Sequence, residues 1–172
     1  MAQRKIRVPP LDVTAVRGLP EWMSLYQAYN AVFKVAELTL LPQHLTLPKF
    51  HLLAVLKKGG GILTTGEIGQ AMVKASQTIT GLVDRLEEPG LVERVFDRRD
   101  RRKTWVRLTK DGERRLAEAS PVAVGLAGEL SSILTDEELE DLQAKMEKLR
   151  RAAMDRLAPL LARQQPGARL GF

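Results

Sequence analysis

Seven basic side chains fall within fourteen residues: Arg94, Arg98, Arg99, Arg101, Arg102, Lys103 and Arg107, against only two acidic ones, Asp97 and Asp100. That segment carries a net +5, whereas the whole chain of 172 residues carries +6. The rest of the chain is nearly neutral. Guanidinium groups are planar forks of N–H donors that match phosphate oxygens, so such a cluster suits a polyanion. A second polar group lies upstream: Ser76, Gln77, Thr78 and Thr80, followed by Arg85. These side chains offer donors and acceptors without bulk. Gln matches the edge of adenine, and Arg matches guanine or a phosphate.

Other chemistries lack their materials. With no cysteine in the chain, disulfide scaffolds, thiol switches, Cys nucleophiles and Cys-ligated metals are excluded. The two histidines, His44 and His51, are separated by Pro48 and have no carboxylate cluster beside them, so no metal site is expected. Lys57-Lys58-Gly59-Gly60-Gly61 lacks the GxxxxGK[ST] order of a phosphate loop, and neither HExxH nor GxSxG occurs. No enzyme activity and no cofactor are expected. The longest unbroken apolar run, Leu52 to Leu56, is far below the ~20 residues of a membrane span. The basic start (Arg4, Lys5, Arg7) has no apolar stretch behind it, so the expectation is a cytoplasmic protein without a signal peptide.

The periodicity indicates which elements hold these groups. Residues 1–20 read as an extended arm. A helix follows over about Trp22 to Leu41, with Trp22, Tyr26, Tyr29 and Phe33 on one face and Leu25, Ala28, Val32 and Val35 on the next. A helix so broadly apolar needs cover on two sides, which points to a dimer. Thr46 is placed to cap a second helix with Pro48 in its first turn, and Gly59-Gly60-Gly61 ends it. Thr64-Thr65-Gly66-Glu67 has a capping-box spacing and opens a third helix. A fourth runs from about Ser76 to Glu88 with Ile79, Leu82, Val83 and Leu86 inward, stopped by Pro89-Gly90.

The period then shortens. Leu91–Phe96 and Thr104–Leu108 are β-branched and aromatic runs around the arginine-rich stretch, which reads as a β-hairpin. Helical spacing returns after Thr109, with a kink expected at Pro121. Beyond a second capping box at Thr135, Leu139, Leu142, Met146, Leu149 and Ala153 recur every three or four residues as an apolar seam.

Three short helices followed by a hairpin make a winged helix-turn-helix. In that motif the second helix of the turn enters the major groove and its first residues meet base edges. Those residues here are Ser76, Gln77, Thr78 and Thr80, while the arginine-dense hairpin tip reaches backbone and minor groove. The predicted fold class is mainly α with a small β-hairpin wing: a DNA-binding domain over 46–109, flanked by dimerisation helices over 21–45 and 110–162. The arm covers 1–20 and a flexible tail covers 163–172.

On these residues the sequence resembles a known family. Thr64–Gly66-Glu67-Ile68, Thr78-Ile79-Thr80-Gly81-Leu82-Val83-Asp84-Arg85-Leu86-Glu87, Gly90-Leu91-Val92-Glu93-Arg94, Asp97–Asp100-Arg101-Arg102 and Val106-Arg107-Leu108-Thr109–Gly112 look like the MarR family of transcriptional regulators. The likeness is specific from about residue 46 to 116. It implies a homodimer, more often a repressor than an activator, whose terminal helices form the interface. It also implies that Asp100 orients Arg102 for the minor groove.

The expected DNA-binding residues are therefore Ser76, Gln77, Thr78, Thr80, Arg85, Arg98, Arg99, Asp100, Arg101 and Arg102. Expected partners are double-stranded DNA, read as an inverted repeat, and a second copy of the chain. The resemblance further implies a pocket for a small aromatic or phenolic ligand, with Trp22, Tyr26, Tyr29 and His51 as its candidate residues; plain interface packing is the competing reading of that aromatic stripe. The alternative function is an architectural or interaction protein that binds nucleic acid without choosing a sequence.

Overall fold

The computed structural model describes residues 18–96 and 103–163. Its elements in chain order are α1 (Leu19–Leu40), a 3-10 turn (Leu41–Gln43), α2 (Leu47–Lys58), β1 (Ile62–Thr64), α3 (Thr65–Met72), α4 (Ser76–Glu87), β2 (Val92–Phe96), β3 (Thr104–Leu108), α5 (Lys110–Ser131) and α6 (Asp136–Arg163). The chain divides into two units, Met1–Leu126 and Ala127–Phe172, with the division inside α5. The expected class holds: the chain is mainly α with a small antiparallel sheet.

Among the described residues, all the buried apolar side chains belong to the first unit. Each helix of the DNA-binding motif contributes one row to a common core: Leu52, Leu53 and Leu56 from α2, Ile68 and Met72 from α3, Ile79, Leu82, Val83 and Leu86 from α4. The sheet adds Val92, Val106 and Leu108, and α5 adds Leu116 and Ala119. The residues predicted to face inward on the fourth helix do so, and all four are at most 6% exposed.

Several local expectations are revised. The hairpin is two strands of a three-stranded sheet ordered β1-β3-β2, with β1 paired to β3 through Ile62↔Arg107, Leu63↔Val106 and Thr64↔Trp105. The glycines that end α2 turn the chain into this edge: Gly60 and Gly61 both take positive φ, where a side chain would be strained. The first helix begins at Leu19, earlier than Trp22, because Pro20 is tolerated in a first turn. Thr46 does occupy the N-cap position of α2, but its side chain makes no capping hydrogen bond. Helix α5 continues through Pro121, and the capping box of Thr135 and Glu138 forms as the spacing predicts.

The sheet and α5 are locked to the end of α4 by one threonine. Thr109 donates its backbone N–H to the Leu91 carbonyl at 3.2 Å and its hydroxyl to the Gly90 carbonyl at 2.7 Å. The same hydroxyl accepts from the Gly112 N–H at 3.0 Å, opening α5. Gly112 is buried there, and a Cβ at that position would lie 2.0 Å from the Leu91 carbonyl oxygen. Backbone cannot yield as a side chain can, so only glycine fits.

In the second unit, α6 offers Leu142, Met146 and Leu149 to solvent, which is the seam seen in the sequence. The first helix is likewise open: Trp22, Tyr26 and Tyr29 are 58%, 60% and 54% exposed in the single chain.

Gly112→Ala should therefore lose at least ~3 kcal/mol in urea unfolding, the upper part of the overpacking range. Gly66→Ala, at an exposed site in α3 with nothing closer than 3.9 Å, should gain about 0.5–1 kcal/mol. Equal effects at the two positions would contradict the close approach at Leu91.

Candidate nucleic-acid interface

The first half of the motif is α3 and the turn after it. Thr64 and Glu67 cap α3 reciprocally: the Glu67 N–H donates to Thr64 Oγ1 at 3.2 Å, and the Thr64 N–H donates to Glu67 Oε2 at 2.7 Å. The Thr64 hydroxyl also donates to that carboxylate at 2.7 Å. The backbone N–H and then the hydroxyl of Thr64 hold the Glu67 carboxyl below its ordinary range. Helix α3 ends in a Schellman closure, with Lys74 N–H on the Gly69 carbonyl at 3.0 Å and Val73 N–H on Gln70 at 3.3 Å. Val73 takes the left-handed position, φ 52°, that glycine usually fills.

After this turn α4 starts at Ser76 with no side-chain cap. The first N–H groups of a helix lack intrahelical acceptors and carry partial positive charge, so this end favours anions. Ser76, Gln77, Thr78, Thr80 and Arg85 are all exposed. Thr80 spends its hydroxyl donor on the Ser76 carbonyl at 3.0 Å, leaving it only acceptor capacity toward a ligand. Arg85 has no ion pair or hydrogen bond among the described residues and lies across Gly81, whose ideal Cβ would be 3.7 Å from its Nη2.

The wing rises beside α4. Strands β2 and β3 pair from Val92↔Leu108 to Phe96↔Thr104. Arg98, Arg99, Asp100, Arg101 and Arg102 belong to the connection beyond that last pair and lie outside the described residues. Of the three basic residues of the segment that are described, Arg94 and Arg107 are held in ion pairs. Arg107 pairs across the sheet with Glu93 at 2.9 Å. Arg94 bonds Glu87 through Nη1 and Asp84 through Nη2, the latter at 2.5 Å, and its side chain is 18% exposed. Partial burial works against its charge, but the hydrogen bonds to Asp84 and Glu87 outweigh it and raise its pKa. Charge counting alone does not distinguish Arg94 from the other cations of the segment. The signal that separates it is the Asp84/Glu87 pair on the preceding helix, which only the folded chain brings to β2.

A cleft of about 790 Å³ opens between α1, α2 and the exposed side of α4. Tyr29, Phe33 and His51 supply one wall, and Gln77, Gly81 and Arg85 supply the other. The Tyr29 and Phe33 rings are 5.8 Å apart at 41°. Of the four sequence candidates for a ligand pocket, Tyr29 and His51 line this cleft. Trp22 and Tyr26 lie nearer the start of α1 and do not. Among the described residues no group of three His, Asp or Glu is placed to hold a metal ion.

Comparison with known proteins bears on this geometry. The sequence model of the MarR family matches residues 45–103, which run from the end of the α1–α2 connection into the wing. The chain is 33% identical over 120 residues to YsmB of Bacillus subtilis (strain 168), described as an uncharacterised HTH-type transcriptional regulator; the match spans 69% of this chain and 82% of that one. Among solved structures, a mutant MarR from E. coli complexed with operator DNA superposes with TM-score 0.70 at 24% identity, covering 76% of this chain and 93% of its own. The organohalide-sensing regulator RdhR in its 2,4-dichlorophenol-bound form reaches TM-score 0.78 at 18% identity, covering 98% and 100%.

The cap of α3 carries a pH signature. A carboxyl held below its ordinary range contributes fully above that range and loses its contribution as pH falls through the lowered value. Glu67→Ala should be less stable than the parent at pH 7, and the gap should narrow as pH falls below the ordinary carboxylate range. An equal gap at both ends of a urea-unfolding series would remove the carboxylate from the cap.

Proposed function

The chain belongs to the MarR family of transcriptional regulators, and on that premise we propose that it is a homodimeric repressor that reads a palindromic duplex through α4. It is a regulator and not an enzyme. The observation that carries the reading is the division of α4 into two faces. Ile79, Leu82, Val83 and Leu86 are buried, which leaves Ser76, Gln77 and Thr78 exposed at a helix start suited to phosphate and base contact. Gln77 is assigned to base readout with Ser76, Thr78 and the acceptor of Thr80, while Arg85 takes a base or a phosphate. The arginines between β2 and β3, with Asp100 orienting Arg102, supply attraction to the backbone and the minor groove.

Pairing of two chains is supported by the open apolar stripe of α1 and the separate apolar seam of α6. Stripes of this extent seldom stay in water on a monomer. Two copies about a two-fold axis present two α4 helices to half-sites one helical turn, ~10 bp, apart.

Control by a small molecule follows from the cleft. Aromatic walls at Tyr29 and Phe33, with His51 and Arg85 beside them, suit a small aromatic anion or phenol. A neighbour in fold was solved with 2,4-dichlorophenol bound, which agrees with that class. Gln77 and Arg85 belong to both the cleft and the reading face, so an occupied cleft and a bound duplex draw on the same side chains. Ligand therefore releases the DNA.

Selection of bound duplexes from a random pool should return a two-fold symmetric site; a pool that never converges would refute sequence reading. Gln77→Ala should shift the preferred base at one position per half-site at a cost of about 1–3 kcal/mol on the cognate duplex, with little loss on scrambled DNA. Arg102→Ala should weaken binding to every duplex and lower the slope of log K against log salt by about one. An unchanged slope would take Arg102 off the backbone.

A further inference from the structure

We propose that Arg94 is a positioning residue for sequence reading, not a DNA contact: from β2 it sets the rotation of α4 about its own axis. The inference rests on the reading of α4 given above. Three acceptors receive this one side chain. Its Nη2 donates to Asp84 Oδ1 at 2.5 Å and to the Thr80 carbonyl at 3.4 Å, and its Nη1 donates to Glu87 Oε2. The backbone N–H of Arg94 adds a bond to Glu87 Oε1 at 2.9 Å. Residues 80, 84 and 87 form one stripe along two turns of the helix, so the guanidinium grips α4 along its length and not at a point.

The anchor at the other end is firm. Arg94 is paired in the sheet with Val106, which is fully buried. Helix α4 is thus held on two sides, by its apolar row in the core and by this polar stripe against the wing. The two attachments differ in kind. Apolar contact is non-directional and tolerates a small roll, whereas charge-assisted hydrogen bonds fix both distance and angle. A roll of about 20° moves a side-chain tip ~6 Å from the helix axis by about 2 Å, enough to break a bidentate base contact from Gln77.

Asp84 separates this role from simple charge. It is an acidic residue on the proposed reading helix, 59% exposed at its side chain. If only the field mattered, its neutralisation would tighten binding to all DNA. If it is the purchase point for Arg94, its loss costs discrimination.

The test measures affinity by fluorescence anisotropy, at several salt concentrations, for the duplex recovered by selection and for a scrambled duplex of equal composition. Asp84→Asn should bind the scrambled duplex as well as or better than the parent, yet lose about tenfold in preference for the selected one, the worth of a good base contact. Arg94→Gln should lose similar preference with its salt slope unchanged. Arg94→Lys, which keeps the charge but cannot span three acceptors, should restore only part of it. Circular dichroism melts check that each variant is folded, and if Arg94→Gln does not fold, Asp84→Asn decides alone. Preference retained in Asp84→Asn would overturn the inference while leaving the reading role of α4 intact. A salt slope lowered by about one in Arg94→Gln would also overturn it, by making Arg94 a phosphate contact. A parent protein with no preference between the duplexes would overturn both.

Discussion

The burial of one row of α4 is the constraint on which the rest depends. A twelve-residue helix is marginal in water by itself. Four fully or nearly fully buried side chains, each worth roughly 1.5–3 kcal/mol, hold this one against α2, α3 and the sheet. Because Ile79, Leu82, Val83 and Leu86 must point inward, the helix period sends Ser76, Gln77 and Thr78 outward. Display of the polar face is a geometric consequence of the core.

The neighbours of α4 make that display reproducible. The capping box sets where α3 begins, and the Schellman closure at Gly69 and Lys74 sets where it ends, so the start of α4 is delivered at a fixed place. At its far end the chain turns at Gly90, and Thr109 ties that turn to both the sheet and α5. Gly112 allows the approach because it has no side chain to exclude the Leu91 carbonyl. The polar tie from Arg94 joins wing and helix between these two ends. One consequence is electrostatic. Arg94 and Arg107 are paired with carboxylates of α4 and β2, so two charges of the segment are offset locally.

The surface left open by the first unit is as informative as its core. Helix α1 is apolar over much of its circumference, yet only Ala36 and Leu40 are buried within the chain. The aromatic residues divide there: Tyr29 and Phe33 turn to the cleft beside α4, while Trp22 and Tyr26 remain outside it. A stripe that looks uniform in the sequence thus serves two surroundings. The cleft lies directly against Gln77 and Arg85, two of the residues assigned to reading.

The sequence by itself determined the elements whose signals are local. The 3-and-4 spacing of apolar residues located every helix of the motif, Thr64 with Glu67 and Thr135 with Glu138 announced two helix starts, and alternation with β-branched residues located β2 and β3. The outward row of α4 followed from period alone. Tertiary structure decided whatever depends on partners far apart in the chain. β1 is three residues long, too short for a period, and exists only because β3 offers it an edge. Thr46 stands where a cap belongs but makes no such bond, which spacing does not encode. Arg94 looked like one more cation in a basic run, and Trp22 and Tyr26 looked like companions of Tyr29. Local pattern records which way a side chain faces on its own element; what it meets there is set by how the elements pack.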